Sequence, residues 1–449
     1  MTAGSSSSAR LPAPREVQRI TRILRDAGFD TWAVGGAVRD ALAGMPSGDW
    51  DLTTSARPAD VQRIFRRTVP IGVEHGTVGV LGKDGVLYEV TTFRRDVETS
   101  GRHAVVAFAD TLEEDLERRD FTINAVAWNP LTDEIRDPHG GATDLKNGLL
   151  RTVGAAASRF AEDRLRVLRA LRFAGRFELR IDEATWAAAC SVAEDLHMLS
   201  AERIREELIK VMALPCPAGA LQLYADSGVL REIYPEIQRC IGLPDGEHAG
   251  DVFTHLLSVV DLCPPKLPLL RLAALLHDVG KSATAVEVDG TLTFPDHAAA
   301  GAAMAREILR RLKASNASTD RVVHLVAQHS GVPEAGASTL EIRRWLRVVG
   351  AEYAPDLYRL RLADRCAHYG DEQTREIHKV YRRVLRIIRA RPPLEISDLA
   401  VNGEDLRRLG IPAGPLYGEI LRELLNRVVD DPELNSKDEL LALVREELA

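Results

Sequence analysis

The chain lacks any run of about 20 apolar residues, the length a membrane-spanning helix needs, and no tandem repeat interrupts it. Its first fourteen residues, MTAGSSSSARLPAP, carry no apolar stretch of the kind a secretory signal requires, and their Ser, Pro and Ala content is that of a disordered tail. Cysteine is scarce. Cys190, Cys216, Cys240, Cys263 and Cys366 lie far apart with no C-x-x-C pair, so neither a disulfide framework nor a zinc knuckle is indicated, and a reducing cytoplasm suits such a chain. An excess of positive charge is also missing: the formal net charge of −8 excludes a protein that coats nucleic acid over its whole surface. Any RNA contact must come from a local basic surface. What is present is a composition of 45% apolar and 28% charged residues, that of a water-soluble globular protein, spread over 449 residues. Such a length predicts several domains and an elongated molecule.

The pattern along the chain predicts an α+β fold. From Val17 to about Arg151, helical stretches such as REVQRITRILRDAG mix with β-rich runs such as TVGVLGKDGVLYEVTTF, which contains a Lys-Asp-Gly hairpin signal. Beyond Val153 the β signal fades, and EDRLRVLRALRFAGRF, AERIREELIKVMA and LLRLAALLHDVG read as helices, so the remaining two thirds are predicted all-α. Joints at LPCPAG, IGLPDGEHAG and RARPPLEI divide this part. The expected organisation is a tail over 1–14, a mixed head over 15–152, a helical neck over 153–215, a third region over 216–385 and a C-terminal helical region over 386–449.

The densest chemical signal is GGAVRD at Gly35 to Asp40, followed by GDWDLTT at Gly48 to Thr54. Asp49 and Asp51 flank Trp50 on an expected short strand, where a period of two puts both carboxylates on one face. Two aspartate oxygens, completed by a triphosphate and water, suit a hard divalent cation such as Mg²⁺. The paired glycines let the backbone approach a phosphate, and Arg39 adds a fixed positive charge beside it. Either motif alone also occurs in ordinary turns and solvated strand ends.

Here the sequence resembles the class II tRNA nucleotidyltransferase and bacterial poly(A) polymerase family of the DNA polymerase β superfamily. The resemblance rests on ordered signatures: GGAVRD with GDWDLTT, then EEDLERRDFTINA (Glu113 to Ala125), DPHGGATDL (Asp137 to Leu145) and RFAEDRLRVLRALRF (Arg159 to Phe173). It implies a polymerase β-like head with a small mixed sheet, followed by a helical neck that selects the base. It further implies that Asp49 and Asp51 are catalytic and bind Mg²⁺, and that Gly36, Arg39 and Arg119 contact the triphosphate. Asp120 and Asn124 would shape the same pocket. Glu89, on the strand before TTFRR, is a third carboxylate that reads equally well as an exposed strand residue.

Asp163, Arg166 and Arg169 are spaced three apart, which predicts one stripe on a helix. An aspartate accepts hydrogen bonds and an arginine donates them, while cytosine and adenine both offer an amino donor beside a ring-nitrogen acceptor. The pair Asp163 and Arg166 therefore matches C and A and mismatches U and G. The resemblance assigns these two residues to base selection and Arg169 and Arg172 to further nucleotide contacts. A solvated amphipathic helix is the competing reading, although the crowd of arginines from Arg164 to Arg180 exceeds what it requires. Arg176 and Arg180 suit tRNA phosphates. Between Phe93 and Thr111 a polar, Gly-containing stretch without periodicity predicts a mobile loop, which in the family accompanies the switch from C to A.

A second constellation, in LLRLAALLHDVGK and its surroundings, resembles an HD domain, whose ligands would be His255, His277, Asp278 and Asp364. His297 and His329 stand where a dinuclear variant places two more, with His324 as a substitute for His329. Imidazoles with carboxylates suit Mn, Ni, Zn or Fe, and such a site can activate water for phosphoester hydrolysis. The whole implies a cytoplasmic enzyme that adds CCA, or its terminal A, to tRNA from CTP and ATP. Three alternatives stay open: a poly(A) polymerase or A-adding partner enzyme, an HD phosphohydrolase with a relic head, and a non-enzymatic tRNA-binding module.

Overall fold

The computed structural model describes residues 11–100, 103–246, 250–370 and 374–448. Its contacts divide into two compact units, Met1–Val211 with Gly219–Ile233, and Met212–Ala218 with Tyr234–Ala449.

In the first unit, helix α1 (Arg15–Asp26) buries Val17, Ile20, Thr21 and Leu24, the i, i+3, i+4, i+7 stripe of an amphipathic helix. There follow β1 (Thr31–Val34), α2 (Gly36–Leu42), β2 (Asp51–Thr54), α3 (Pro58–Ile64), β3 (Thr68–Gly72), β4 (Thr77–Leu81) and β5 (Leu87–Thr92). Next come β6 (Arg94–Ser100), β7 (His103–Phe108), α4 (Leu112–Glu117), β8 (Ala127–Trp128), β9 (Ile135–Arg136) and α5 (Gly141–Lys146). A seven-stranded sheet runs in the order β3-β4-β5-β2-β1-β8-β9. Its β2–β5 pair is parallel and its other pairs are antiparallel. Ile20, Leu24, Leu52, Val78, Val90 and Trp128 fill its core. Leu11 and Ala13, read from sequence as part of the tail, pack against that core, and residues 1–10 lie outside the described residues.

The predicted loop between Phe93 and Thr111 is instead an antiparallel ribbon of β6 and β7, with a register shift between Asp96 and Glu98. Its polar sequence hides the pairing because a two-stranded ribbon needs no buried face to form a ladder. Gly141 explains DPHGGATDL: a Cβ there would sit 1.9 Å from the Thr122 carbonyl oxygen, so only glycine lets α5 abut the 3₁₀ turn Thr122–Asn124.

The rest of this unit is helical apart from one short strand pair: β10 (Leu149–Leu150), α6 (Ala156–Glu162), α7 (Leu165–Phe177), β11 (Arg180–Ile181), α8 (Glu183–Ser191), α9 (Ala201–Met212), α10 (Ala218–Asp226) and α11 (Val229–Ile233). The single helical stripe expected for Asp163, Arg166 and Arg169 is broken. Asp163 is extended between α6 and α7, and its carboxylate accepts from the Leu165 backbone N–H at 3.0 Å. It behaves as a cap, which the E-D-R-L sequence signals and the spacing argument overlooked.

The second unit contains α12 (Pro235–Gln238), α13 (Val252–Leu262), α14 (Pro268–Leu276), α15 (Lys281–Thr284), β12 (Val286–Val288), β13 (Thr291–Thr293), α16 (His297–Arg311) and α17 (Asn316–Gln328). It ends with α18 (Thr339–Val349), α19 (Ala354–Tyr369), α20 (Thr374–Arg389), α21 (Gly403–Arg408), α22 (Pro415–Asp430) and α23 (Lys437–Leu448). Helices α13, α14, α16, α17 and α19 pack together, while Leu406, Leu424, Val428, Leu440 and Val444 form a separate core among the last helices. The all-α expectation needs two corrections: β11 pairs with β10 in the first unit, and in the second β12 and β13 form a hairpin turned by Asp289 and Gly290, both with positive φ. The Asp-Gly signal in VEVDGTLT is the local cause.

Candidate active site and candidate metal centre

Strand pairing sets Asp51 opposite Val34, directly before Gly35. Gly35 has φ +77°, and a Cβ on it would lie 3.2 Å from Arg119 Nη1 and 3.8 Å from Asp51 Oδ2. The backbone thus passes close to a carboxylate and a guanidinium where a side chain would intrude. Trp50 turns inward against Trp128, with ring centroids 5.6 Å apart. Asp49 is exposed and precedes β2, so it is not itself on the strand as expected, yet its charge still acts on Asp51. Burial, then the charge of Glu89, then that of Asp49 raise the Asp51 carboxyl to about 6 against the pull of Arg119. Negative charge in this corner is incompletely compensated, which fits a bound divalent cation.

Asp51 and Glu89 line a recess of about 400 Å³ together with Arg119, Asp163, Arg166 and Arg169. A larger recess of about 640 Å³, lined by Leu42, Ala43, Leu145, Lys146, Arg176 and Leu179 among others, holds no such convergence of acids and arginines. Two arginines of the smaller recess are held by buried Asp115, which accepts from Arg118 Nε at 3.0 Å and Arg119 Nη2 at 3.2 Å. Burial alone would raise the Asp115 carboxyl, but Arg119 and Arg118 bring it below the usual range. Asp120 is likewise buried, and against that desolvation Arg169, donating at 2.8 Å, together with Asn124 and the Phe121 N–H, holds its carboxyl below the usual range. Asn124 donates to Asp120 at 2.9 Å and accepts from Arg39 at 2.6 Å, so it shapes the recess from behind.

Asp163 Oδ2 accepts from Arg203 at 2.6 Å, and Arg166 donates to Glu162 at 2.5 Å and to the Arg159 carbonyl at 3.0 Å. Two residues expected to contact the nucleotide, Arg39 and Arg172, are engaged by buried neighbours in this structure. Arg39 is 4% exposed, bonded to Asp40 and Asn124, with its guanidinium 4.7 Å from the centroid of Phe173. Arg172 donates to buried Glu207 at 2.7 Å. Arg176 is paired with Asp40 at 2.7 Å.

In the second unit the expected ligands of the HD constellation converge. His255 on α13, His277 after α14 and Asp364 on α19 surround Asp278: His255 Nε2 lies 3.3 Å from Asp364 Oδ1 and 3.4 Å from His277 Nε2. Asp278 turns Oδ2 toward His277 at 3.4 Å and Oδ1 toward His329 at 3.3 Å and His297 at 3.4 Å, the arrangement of a carboxylate between two cation positions. Backbone carbonyls engage the Nδ1 atoms of His277, His297 and His329, which orients every Nε2 inward. Burial, with the neighbouring His329 and His255, lowers the His277 ring to about 4 and leaves a neutral imidazole able to ligate. His324, the expected substitute, contacts the Val349 carbonyl at 2.7 Å and stands outside the cluster. The donor set fits a borderline transition metal.

The family model of the poly A polymerase head domain matches residues 31–151, that of the RNA and SrmB-binding site of polymerase A residues 178–241, and that of tRNA nucleotidyltransferase domain 2 residues 294–444. The chain is 34% identical to the CCA-adding enzyme of Geobacillus kaustophilus over 430 residues, covering 95% of each. The chain belongs to the class II CCA-adding enzyme family. The members of that family are nucleotidyltransferases that use divalent metal ions. The CCA-adding enzyme of Geobacillus stearothermophilus is also 34% identical, over 97% of each chain. A crystal structure of the Bacillus stearothermophilus CCA-adding enzyme in complex with CTP superimposes with a TM-score of 0.76 at 32% identity, covering 96% of this chain and 97% of that one. The Thermotoga maritima CCA-adding enzyme complexed with tRNA shares the fold, with a TM-score of 0.56 at 22% identity. No helix among the described residues is long and apolar enough to cross a membrane.

Several residues of these sites escaped the sequence reading. Arg203 acts through Asp163, 40 residues away and too distant in sequence to announce itself, whereas Asp115 stands one helical turn before Arg118 and Arg119 and its i, i+3 and i, i+4 spacing could have found it. Lys281 likewise follows Asp278 by one helical turn and His368 follows Asp364 by one turn, so i, i+3 and i, i+4 spacing could have found them.

Proposed function

We propose that this chain completes tRNA by adding C, C and A to its 3′ end from CTP and ATP, releasing pyrophosphate. The observation that carries the proposal is one recess in which the acids Asp51 and Glu89 meet the base-reading set Asp163, Arg166 and Arg169. Full-length likeness to CCA-adding enzymes supports the choice of tRNA, CTP and ATP. In this reading Asp49 and Asp51 hold Mg²⁺, which when bound neutralises the triphosphate and makes the primer hydroxyl more acidic. Arg119, fixed by Asp115, meets the triphosphate near Gly35 and Gly36. Asp163 accepts the amino proton of C or A, and Arg166 donates to the ring nitrogen. Asp120 and Asn124 set Arg169 beside them. Uracil and guanine leave these groups unpaired, at roughly 1–3 kcal/mol each.

Given tRNA that ends before the CCA, the chain takes up C from CTP alone and A only when CTP is also supplied. Uptake of A without C points to an A-adding partner enzyme, and an unbounded A tail points to a poly(A) polymerase. Either result overturns the proposal.

A second activity is favoured by the inward-facing His255, His277, Asp278, Asp364, His297 and His329. They suit Mn²⁺, Ni²⁺, Zn²⁺ or Fe²⁺ and phosphoester hydrolysis. With Mn²⁺ or Ni²⁺, hydrolysis of a 2′,3′-cyclic nucleotide should fall at least about 10²-fold in Asp278→Asn while nucleotide addition persists. Absence of hydrolysis in the unaltered chain with all four metals removes this reading.

A further inference from the structure

The histidine–aspartate cluster extends past the ligands that its HD resemblance supplies. Asp245, just before α13, is 2% exposed at its side chain, and its Oδ1 accepts from Lys281 Nζ at 2.6 Å. Its Oδ2 is buried and has no hydrogen-bond partner among the described residues. That atom points to His368 Nε2 at 3.8 Å. His368 stacks on His255 with ring centroids 4.0 Å apart and planes 12° apart, which fixes its ring, and its Nε2 lies 3.6 Å from Asp364 Oδ1.

A buried carboxylate oxygen needs a positive or hydrogen-bonding partner. The separation to His368 exceeds the roughly 3.2 Å limit of a good hydrogen bond. It matches two donor atoms on one cation, since ligands held about 2.0–2.2 Å from a metal lie roughly 3–4 Å from each other. Ligand atoms of Asp245, His255 and His368 all fall within 4.8 Å of one another. Asp364 Oδ1 stands between the His255 and His368 nitrogens, 3.3 and 3.6 Å away, so it can bridge. Among the described residues, the lysine and arginine side chains that pair with Asp245, Asp278 and Asp364 are Lys281 and Arg361. Lys281 reaches both Asp245 Oδ1 and Asp278 Oδ2 at 2.6 Å and leaves Asp245 Oδ2 to another cation.

We infer that Asp245 and His368, with Asp364 as a bridging ligand, form an additional divalent-cation subsite beside the two positions that share Asp278. The inference rests on the reading that the cluster holds metal, and the experiment separates the two. The full-length chain is brought to equilibrium by dialysis against saturating Mn²⁺, bound metal is measured per chain, and nucleotide addition to tRNA serves as the check that each variant folds. His368→Gln and Asp245→Asn should each bind one equivalent fewer than the unaltered chain. His297→Ala should lose a different equivalent, so that its combination with His368→Gln loses two. Should Asp245→Asn misfold, His368→Gln alone decides. If the unaltered chain holds metal in the cluster and His368→Gln holds as much, Asp245 and His368 are a simple ion pair and the subsite is overturned. If the cluster of the unaltered chain takes no Mn²⁺, both readings fall.

Discussion

Asp51→Asn should lower nucleotide addition by on the order of 10³-fold or more and, in the absence of divalent cations, make the first unit more stable. The two effects have one cause. Burial and the neighbouring charges of Glu89 and Asp49 hold the Asp51 carboxyl at about 6, above its ordinary value of 3.8, so the fold favours the protonated form. At pH 7 the ionised group therefore works against folding, by up to about 3 kcal/mol at 1.36 kcal/mol per pKa unit. This penalty is present above the folded pKa and fades as pH falls through 6 toward the unfolded value. Asparagine removes the charge and keeps the shape. A bound cation relieves the same penalty by a different route, so Mg²⁺ should raise the melting temperature of the unaltered chain and have much less effect on the variant. The rate of addition should fall as the pH drops below about 6, with the midpoint moving lower as Mg²⁺ is increased, because metal and proton compete for the same oxygens. Thermal melts with and without Mg²⁺, together with pH profiles of CTP incorporation at two Mg²⁺ concentrations, test all of this. A variant that keeps most of its turnover, or one that melts lower than the unaltered chain without metal, contradicts the assignment.

How much of this site was legible depends on where its partners stand in the chain. Gly35 and Asp51 are readable as neighbours because the glycine turn and the carboxylate lie within seventeen residues of one another. The His277-Asp278 doublet is readable for the same reason. For Arg39 and Arg172 the charges are legible but their partners Asn124 and Glu207, 85 and 35 residues away, are not. The break at Asp163 shows a different weakness. Helical spacing on both sides extends smoothly through it, and only the capping preference of aspartate marks the interruption. The β6–β7 ribbon had no periodic signal to offer, whereas the β12–β13 hairpin carried its Asp-Gly turn in plain view.

That break matters for selectivity, because it frees Asp163 from the helical ladder and lets Arg203 and the Leu165 N–H aim its carboxylate. Asp163→Ala should lower kcat/KM for CTP by about 10²-fold or more, and it should also erase most of the preference for C over U. The second effect is the diagnostic one. A residue that only supported the recess would slow every nucleotide alike, but losing the acceptor removes the feature that distinguishes an amino group from a carbonyl. A carboxylate has about four acceptor positions, and the contacts with Arg203 and Leu165 leave room for a base. Arg203 then acts by positioning, so Arg203→Ala should weaken selectivity less than Asp163→Ala. Combining the two should add little to Asp163→Ala alone, as expected for residues that work through one group. Single-nucleotide incorporation with each of the four triphosphates measures these ratios. A C-to-U preference that survives intact in Asp163→Ala would move base selection away from this aspartate, and a double variant with fully additive losses would separate Arg203 from it.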